Sequence, residues 1–329
     1  MKLQLKFGLL LSIISILSYS SFANAETKVV VSIKPVHSLV SYVMDGVGKP
    51  SLLVDGSASP HTFQLKPSHA TMLQEADVVF WIGEDLESFL EDPLDSIASD
   101  ARKVTLMESD QIDLLKFREK NVFEDHHDDH DEHEDHDDHE EHADGHDDHD
   151  EHEGHDDHGH HHGEHDIHFW LDPEIAKTIV SIASEELSEI DPANKSIYSS
   201  NAANAINDLD QLIDNTRSKI NSDATYIVFH DAYQYFEQRF GIEVIGALTV
   251  NPEVLPGAKQ LAEIREVIEH ESVNCLFSEP QFNPSIAETI ASDTGIKSAV
   301  LDPLGAELEP GKDLYFDLIG DMASSFENC

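Results

Sequence analysis

Between Glu124 and Asp166 the chain carries sixteen histidines and 22 carboxylates, with no Lys or Arg. Ala143 is the only apolar side chain there, so burial cannot offset the entropy lost on ordering. Any fold must therefore be assembled from the segments on either side and must tolerate a long insert. Histidines recur mostly every third residue, as at His127, His130, His133, His136, His139 and His142. That spacing matches neither a helix face nor a strand face. A disordered loop over 124–166 is expected, long enough to be functional rather than a mere connection. A solvated acidic spacer would account for the carboxylates but not for the imidazoles, and His-rich tracts bind metal. Ligands that are not preorganised make many weak sites, with poor selectivity among zinc, copper and nickel. A selective site needs histidines fixed elsewhere.

The beginning of the chain predicts export. Lys2 and Lys6 precede the short apolar run Phe7–Leu17, and Ala23-Asn24-Ala25 has the small-x-small pattern of a cleavage site. A membrane span needs roughly 20 apolar residues, about twice this run. Cleavage after Ala25 is expected, giving a soluble exported protein. Losing the two leader lysines takes the formal charge from −46 to −48, and the block supplies 22 of those charges, leaving −26 elsewhere. So acidic a surface repels phosphate backbones and attracts cations, which argues against nucleic acid as a partner. Cys275 and Cys329 are the only cysteines. In an oxidising compartment they are expected to pair, the alternative being two unpaired thiols.

Outside the block, "KVVVSI", "PSLLVD", "ADVVFWIG" and "KVTLM" predict buried strands, with "HSLVSYVMDGV" and "KPSHATMLQEA" as helices between them. After it come a helix over "PEIAKTIVSIASEELSEI" and a long one over 191–221, opened by Asp191-Pro192. Tyr198, Ala202, Ala205, Leu209, Leu212, Thr216 and Ile220 should share one face of it. "TYIVFH", "EVIGAL", "NCLFSE" and "KSAVLD" then predict strands, with helices over "PGAKQLAEIREVIEH" and "PSIAETIASDTG". The expected class is α/β: two lobes, 26–190 and 222–329, each with a mainly parallel sheet flanked by helices, joined by the long helix.

Six histidines lie outside the block. His61, His168 and His230, with Asp302, fall near predicted strand ends or at the start of a helix, where open α/β sheets bind ligands. Neutral imidazole is the commonest zinc ligand. No local two-histidine motif of the H-E-x-x-H kind ties these residues together, so spacing alone does not assign them.

The blocks "SIKPVHSLV", "SPHTFQLKPSHATMLQEADVVFWIGEDLE", "HFWLDP", "VFHDAYQYFEQRFGIEVIG", "FSEPQFNP" and "LDPLG", with the His-rich insert, carry a resemblance. Together they resemble the zinc-binding periplasmic components of ABC importers, the ZnuA type of the cluster A-I metal-binding proteins. The resemblance spans essentially the whole mature chain. It implies a metal held between two α/β lobes, with His61, His168 and His230 as ligands and Asp302 or water as the fourth. Manganese-binding relatives place a carboxylate where His230 stands, so His230 implies zinc. Some zinc-binding relatives carry an acidic residue directly before the first histidine; here it is Pro60. The resemblance also implies a disulfide between Cys275 and Cys329.

The expected function is capture of Zn²⁺ and delivery to an ABC-type permease in the inner membrane, by a monomer and without enzymatic activity. Periplasmic zinc chaperones are candidate further partners, and the block would be an accessory collector or sensor. The alternatives are a manganese carrier, a metal-dependent adhesin of the same fold, or a zinc hydrolase using Asp302 or Glu279 as base. His37, His69 and His270 match no ligand block. His69 is expected on a solvated helix face and His270 near a helix end.

Overall fold

The computed structural model describes residues 26–118, 163–220, 224–249, 252, 254 and 256–329. The expected leader and cleavage site, and the block as far as residue 162, lie outside the described residues.

Two four-stranded sheets, all parallel, carry the fold. The first is built from β1 (Val29–Ile33), β2 (Ser51–Val54), β3 (Val78–Trp81) and β4 (Arg102–Thr105), in the order β2-β1-β3-β4. The second repeats that order with β5 (Thr225–His230), β6 (Glu243–Thr249), β7 (Cys275–Ser278) and β8 (Lys297–Val300), as β6-β5-β7-β8. β1 and β3 are buried throughout, which suits continuous β-branched and aromatic runs covered by helices on both faces. Along β5 and β7 alternate residues separate: Tyr226, Val228 and Phe277 join the main core, while Ile227, Phe229 and Leu276 join a smaller outer one.

The helices are α1 (Lys34–Val43), α2 (Pro67–Gln74), α3 (Glu91–Ser96), α4 (Pro173–Ile190), α5 (Lys195–Lys219), α6 (Gln234–Phe240), α7 (Ala258–His270), α8 (Ser285–Thr294) and α9 (Leu314–Asn328). α4 starts on Asp172, whose Oδ1 accepts from the Glu174 amide, followed by Pro173 in the first turn. Asp191-Pro192 does not open the long helix as expected. Pro192–Asn194 form a separate 3₁₀ turn, and Asp191 accepts from Asn194 Nδ2 and Tyr198 Oη. α5 then runs 25 residues, about 38 Å. It buries Tyr198, Ala202, Ala205, Leu209, Ile213 and Thr216, so Ile213 rather than Leu212 continues the stripe.

α9 is absent from the sequence-based expectation. It packs on α1 and α5, its Tyr315 amide donating to Ser38 Oγ and its Tyr315 Oη to the Trp170 carbonyl. Cys329 beyond its end is bridged to Cys275 on β7, with 5.6 Å between the Cα atoms. Among the described residues no helix is long and apolar enough to cross a membrane.

Candidate metal centre

Two loops and a strand end bring histidines into one place. His61 lies in the turn after β2, His168 just before a buried 3₁₀ turn (Phe169–Leu171), and His230 at the carboxyl end of β5. One ring nitrogen from each falls within 4.8 Å of the others. His168 and His230 are buried and His61 is partly exposed.

Buried carboxylates orient two of the rings. Asp166 Oδ1 accepts from His168 Nδ1 at 2.7 Å and from the His168 amide at 2.9 Å. Glu279 Oε1 accepts from His230 Nδ1 at 2.7 Å. An ionised carboxylate only accepts, so each Nδ1 carries the proton and each Nε2 offers a lone pair. The two Nε2 atoms stand 3.4 Å apart. Two nitrogens bound to a tetrahedral zinc at about 2.0–2.1 Å are separated by about 3.3–3.4 Å, so these rings already have the required spacing. The cavity they face, lined also by Pro60, Trp170, Phe282 and Leu304, measures about 10 Å³, room for one water-sized particle.

Burial opposes protonation of His230. The charge and hydrogen bond of Glu279, with Asp231 and Asp166 adding to them, outweigh burial and raise its pKa. A proton therefore competes with a cation for this nitrogen.

The family described as "Zinc-uptake complex component A periplasmic" (ZnuA) matches residues 29–329. The chain belongs to this family. The high-affinity zinc uptake system protein ZnuA of Brucella abortus is 46% identical to it over 312 residues, covering 94% of this chain and 93% of that protein. A crystal structure of ZnuA superimposes with a TM-score of 0.73 at 22% identity, covering 92% of this chain and 99% of that one. A ZnuA deletion mutant with zinc bound gives 0.71 at 21% identity, covering 92% and 98%.

In this ZnuA-family chain Asp302 stands outside the histidine group. Its Oδ1 accepts from the Leu304 and Gly305 amides and Gln281 Nε2, and its Oδ2 from the Ala306 amide at 2.6 Å. Gly305, at φ +67°, lets the chain curl around the carboxylate. Asp302 is thus spent on folding its own loop.

Of the remaining histidines, His270 ends α7 as expected. His37 is buried, its Nε2 bonded to the Pro50 carbonyl. His69 is not on a solvated face: its Nδ1 accepts from the Lys66 amide, closing the first turn of α2, and its ring stacks on Phe63.

Asp166 was hidden in the block, where composition made it one carboxylate among many. Residues 163–166 belong to the fold instead: His165 bridges to Lys116, and the Asp166 amide donates to the Leu115 carbonyl. Tyr235 Oη ties the two arms, accepting from the Leu115 amide and donating to the Asp166 carbonyl. Arg118 binds both oxygens of Glu237 and approaches Asp231, the residue after His230. Burial pushes the Glu237 carboxyl up to about 7 in spite of that guanidinium.

Proposed function

We propose that this chain captures Zn²⁺ in the periplasm and delivers it to an ABC-type permease for import. The observation that carries this reading is the preset pair of Nε2 atoms at zinc spacing, with His61 closing the trio over a cavity for one ion. His61, His168 and His230 would be the protein ligands. Because four donors already engage Asp302, water is the better fourth ligand. The two buried carboxylates supply negative charge behind the imidazoles and so favour a divalent ion. The zinc is cargo, and the block between the first lobe's two arms would concentrate it nearby. The proposed division is a leader ending at Ala25, lobe 26–190, connecting segment 191–221 and lobe 222–329.

Of the two carboxylates a hydrolase would use as base, Glu279 holds the His230 imidazole and Asp302 is held by its own loop and Gln281. Metal analysis of untagged protein purified without chelator, before and after mild chelation, tests the reading. One tightly held zinc per chain, not displaced by excess manganese, is expected. Retained manganese would reverse it, as would ester or peptide hydrolysis seen with zinc-loaded but not metal-free protein.

A further inference from the structure

A groove of about 570 Å³ lies between β8, α9 and the loop that follows β8, next to the metal cavity. Its walls are apolar at Val300, Leu308 and Leu318, and acidic at Asp302, Glu307 and Asp321, with no Lys or Arg lining it. Val300 is 53% exposed, a large apolar side chain left open at the end of a strand. β8 is also a sheet edge: among the described residues it pairs with β7 alone, so its outer donors and acceptors can accept another strand.

The groove is joined to the site. Glu279 and Phe282 line both cavities. Glu279 holds His230 Nδ1, and the Phe282 ring meets the His230 ring edge-on while stacking on Phe229. The groove's opposite wall is latched to the first lobe, where Lys34 Nζ donates to the Ala306 and Leu308 carbonyls.

We propose that this groove docks an extended, basic segment of the permease, which pairs with the backbone of Val300 at the carboxyl end of the β8 edge and sets apolar side chains against Val300 and Leu308. The segment must be basic because Glu307 and Asp321 face a groove with no Lys or Arg in its walls, Asp302 being held by its own loop, and because the chain as a whole is strongly acidic. It must be extended because the available backbone groups are those of a strand edge. An occupant would press on Glu279 and Phe282, the two supports of His230, so docking and loosening of the ion meet at the same residues. The inference rests on the import reading above.

The test measures ATPase stimulation of the cognate permease in proteoliposomes by zinc-loaded full-length protein. Val300→Asp, which removes an apolar contact, and Glu307→Lys and Asp321→Lys are compared with Glu269→Lys, which makes the same charge change as the two Lys variants on the exposed face of α7. Each groove variant should need about tenfold more protein for half-maximal stimulation, with zinc affinity within about twofold of wild type as evidence of an intact fold. The Glu269→Lys control should behave as wild type. Unchanged stimulation by all three groove variants overturns the proposal, as does an equal loss in the control. If wild-type protein itself gives no stimulation, the import reading fails and the groove proposal with it.

Discussion

Replacing Asp166 by Asn tests whether a carboxylate behind the ligand sets the site's affinity. Asp166 is completely buried, its Oδ1 holding both the amide and Nδ1 of His168, while its Oδ2 is buried without a hydrogen-bond partner. Asn must place its NH₂ in one of these positions. Facing Nδ1, it would force the proton onto Nε2 and block the lone pair that should meet zinc. Facing the Oδ2 position, it would bury a donor beside no acceptor, costing about 1–3 kcal/mol of stability. Either orientation removes the charge that makes the imidazole a strong donor. Losses of about 10–100-fold in affinity, or about 1.4–2.7 kcal/mol, are expected for such a partner. Competition against a chromophoric zinc chelator at neutral pH reads this directly, using protein lacking 124–162 so that weak sites do not mask the loss. Thermal melting of the metal-free variant separates the stability cost from the affinity cost. An Asn variant within about twofold of wild type in zinc affinity would show that His168 needs no carboxylate, and the reasoning would fall.

Four further outcomes are expected. His61→Ala, His168→Ala and His230→Ala should each cost orders of magnitude in the same competition, and Asp302→Ala much less; two silent histidine variants would refute the site. Deleting 124–162 should leave one tight zinc site and remove later-titrating weak ones in calorimetry, since each doubling of loop length changes closure entropy by only about 0.6 kcal/mol. Loss of the tight site would place the primary metal in the block. Replacing both cysteines by Ser should destabilise the fold by about 4 kcal/mol in the chain-entropy model for a separation of 54 residues, and a denaturation midpoint unchanged from the oxidised protein would contradict it. Burial pushes the Glu87 carboxyl up to about 7, so the folded state holds a proton that the unfolded chain has released. Its contribution is full below the ordinary carboxylate range and is lost as pH rises through about 7. Glu87→Gln should therefore flatten that loss in urea titrations between mildly acidic and neutral pH, and parallel curves would exclude it.

Strands were the most legible part of the sequence, because runs such as Val29–Ile33 and Val78–Trp81 are continuously apolar and bounded by turns. α9 was legible in principle: Leu314, Tyr315, Leu318, Ile319, Met322, Ala323 and Phe326 recur at helical spacing. α3 and α6 are too short to build a clear periodicity. The site lay beyond local pattern, since His61, His168 and His230 converge only through tertiary structure and their assignment came from resemblance. Asp302 matched a ligand position by its motif, yet its carboxylate is engaged by backbone amides, which no residue pattern encodes.

The position of α9 has a consequence for how the molecule can be divided. The helix follows the second sheet in sequence and is tethered to β7, yet it packs against α1 and α5. Neither half is therefore an autonomous module. If the chain were expressed as two pieces parted after α5, the first would expose the apolar side of α1 that α9 covers and would be prone to aggregate. Mixed together, the pieces should reassemble around α9 by fragment complementation, and a hybrid joining halves from two relatives would need its α9 matched to the partner's α1.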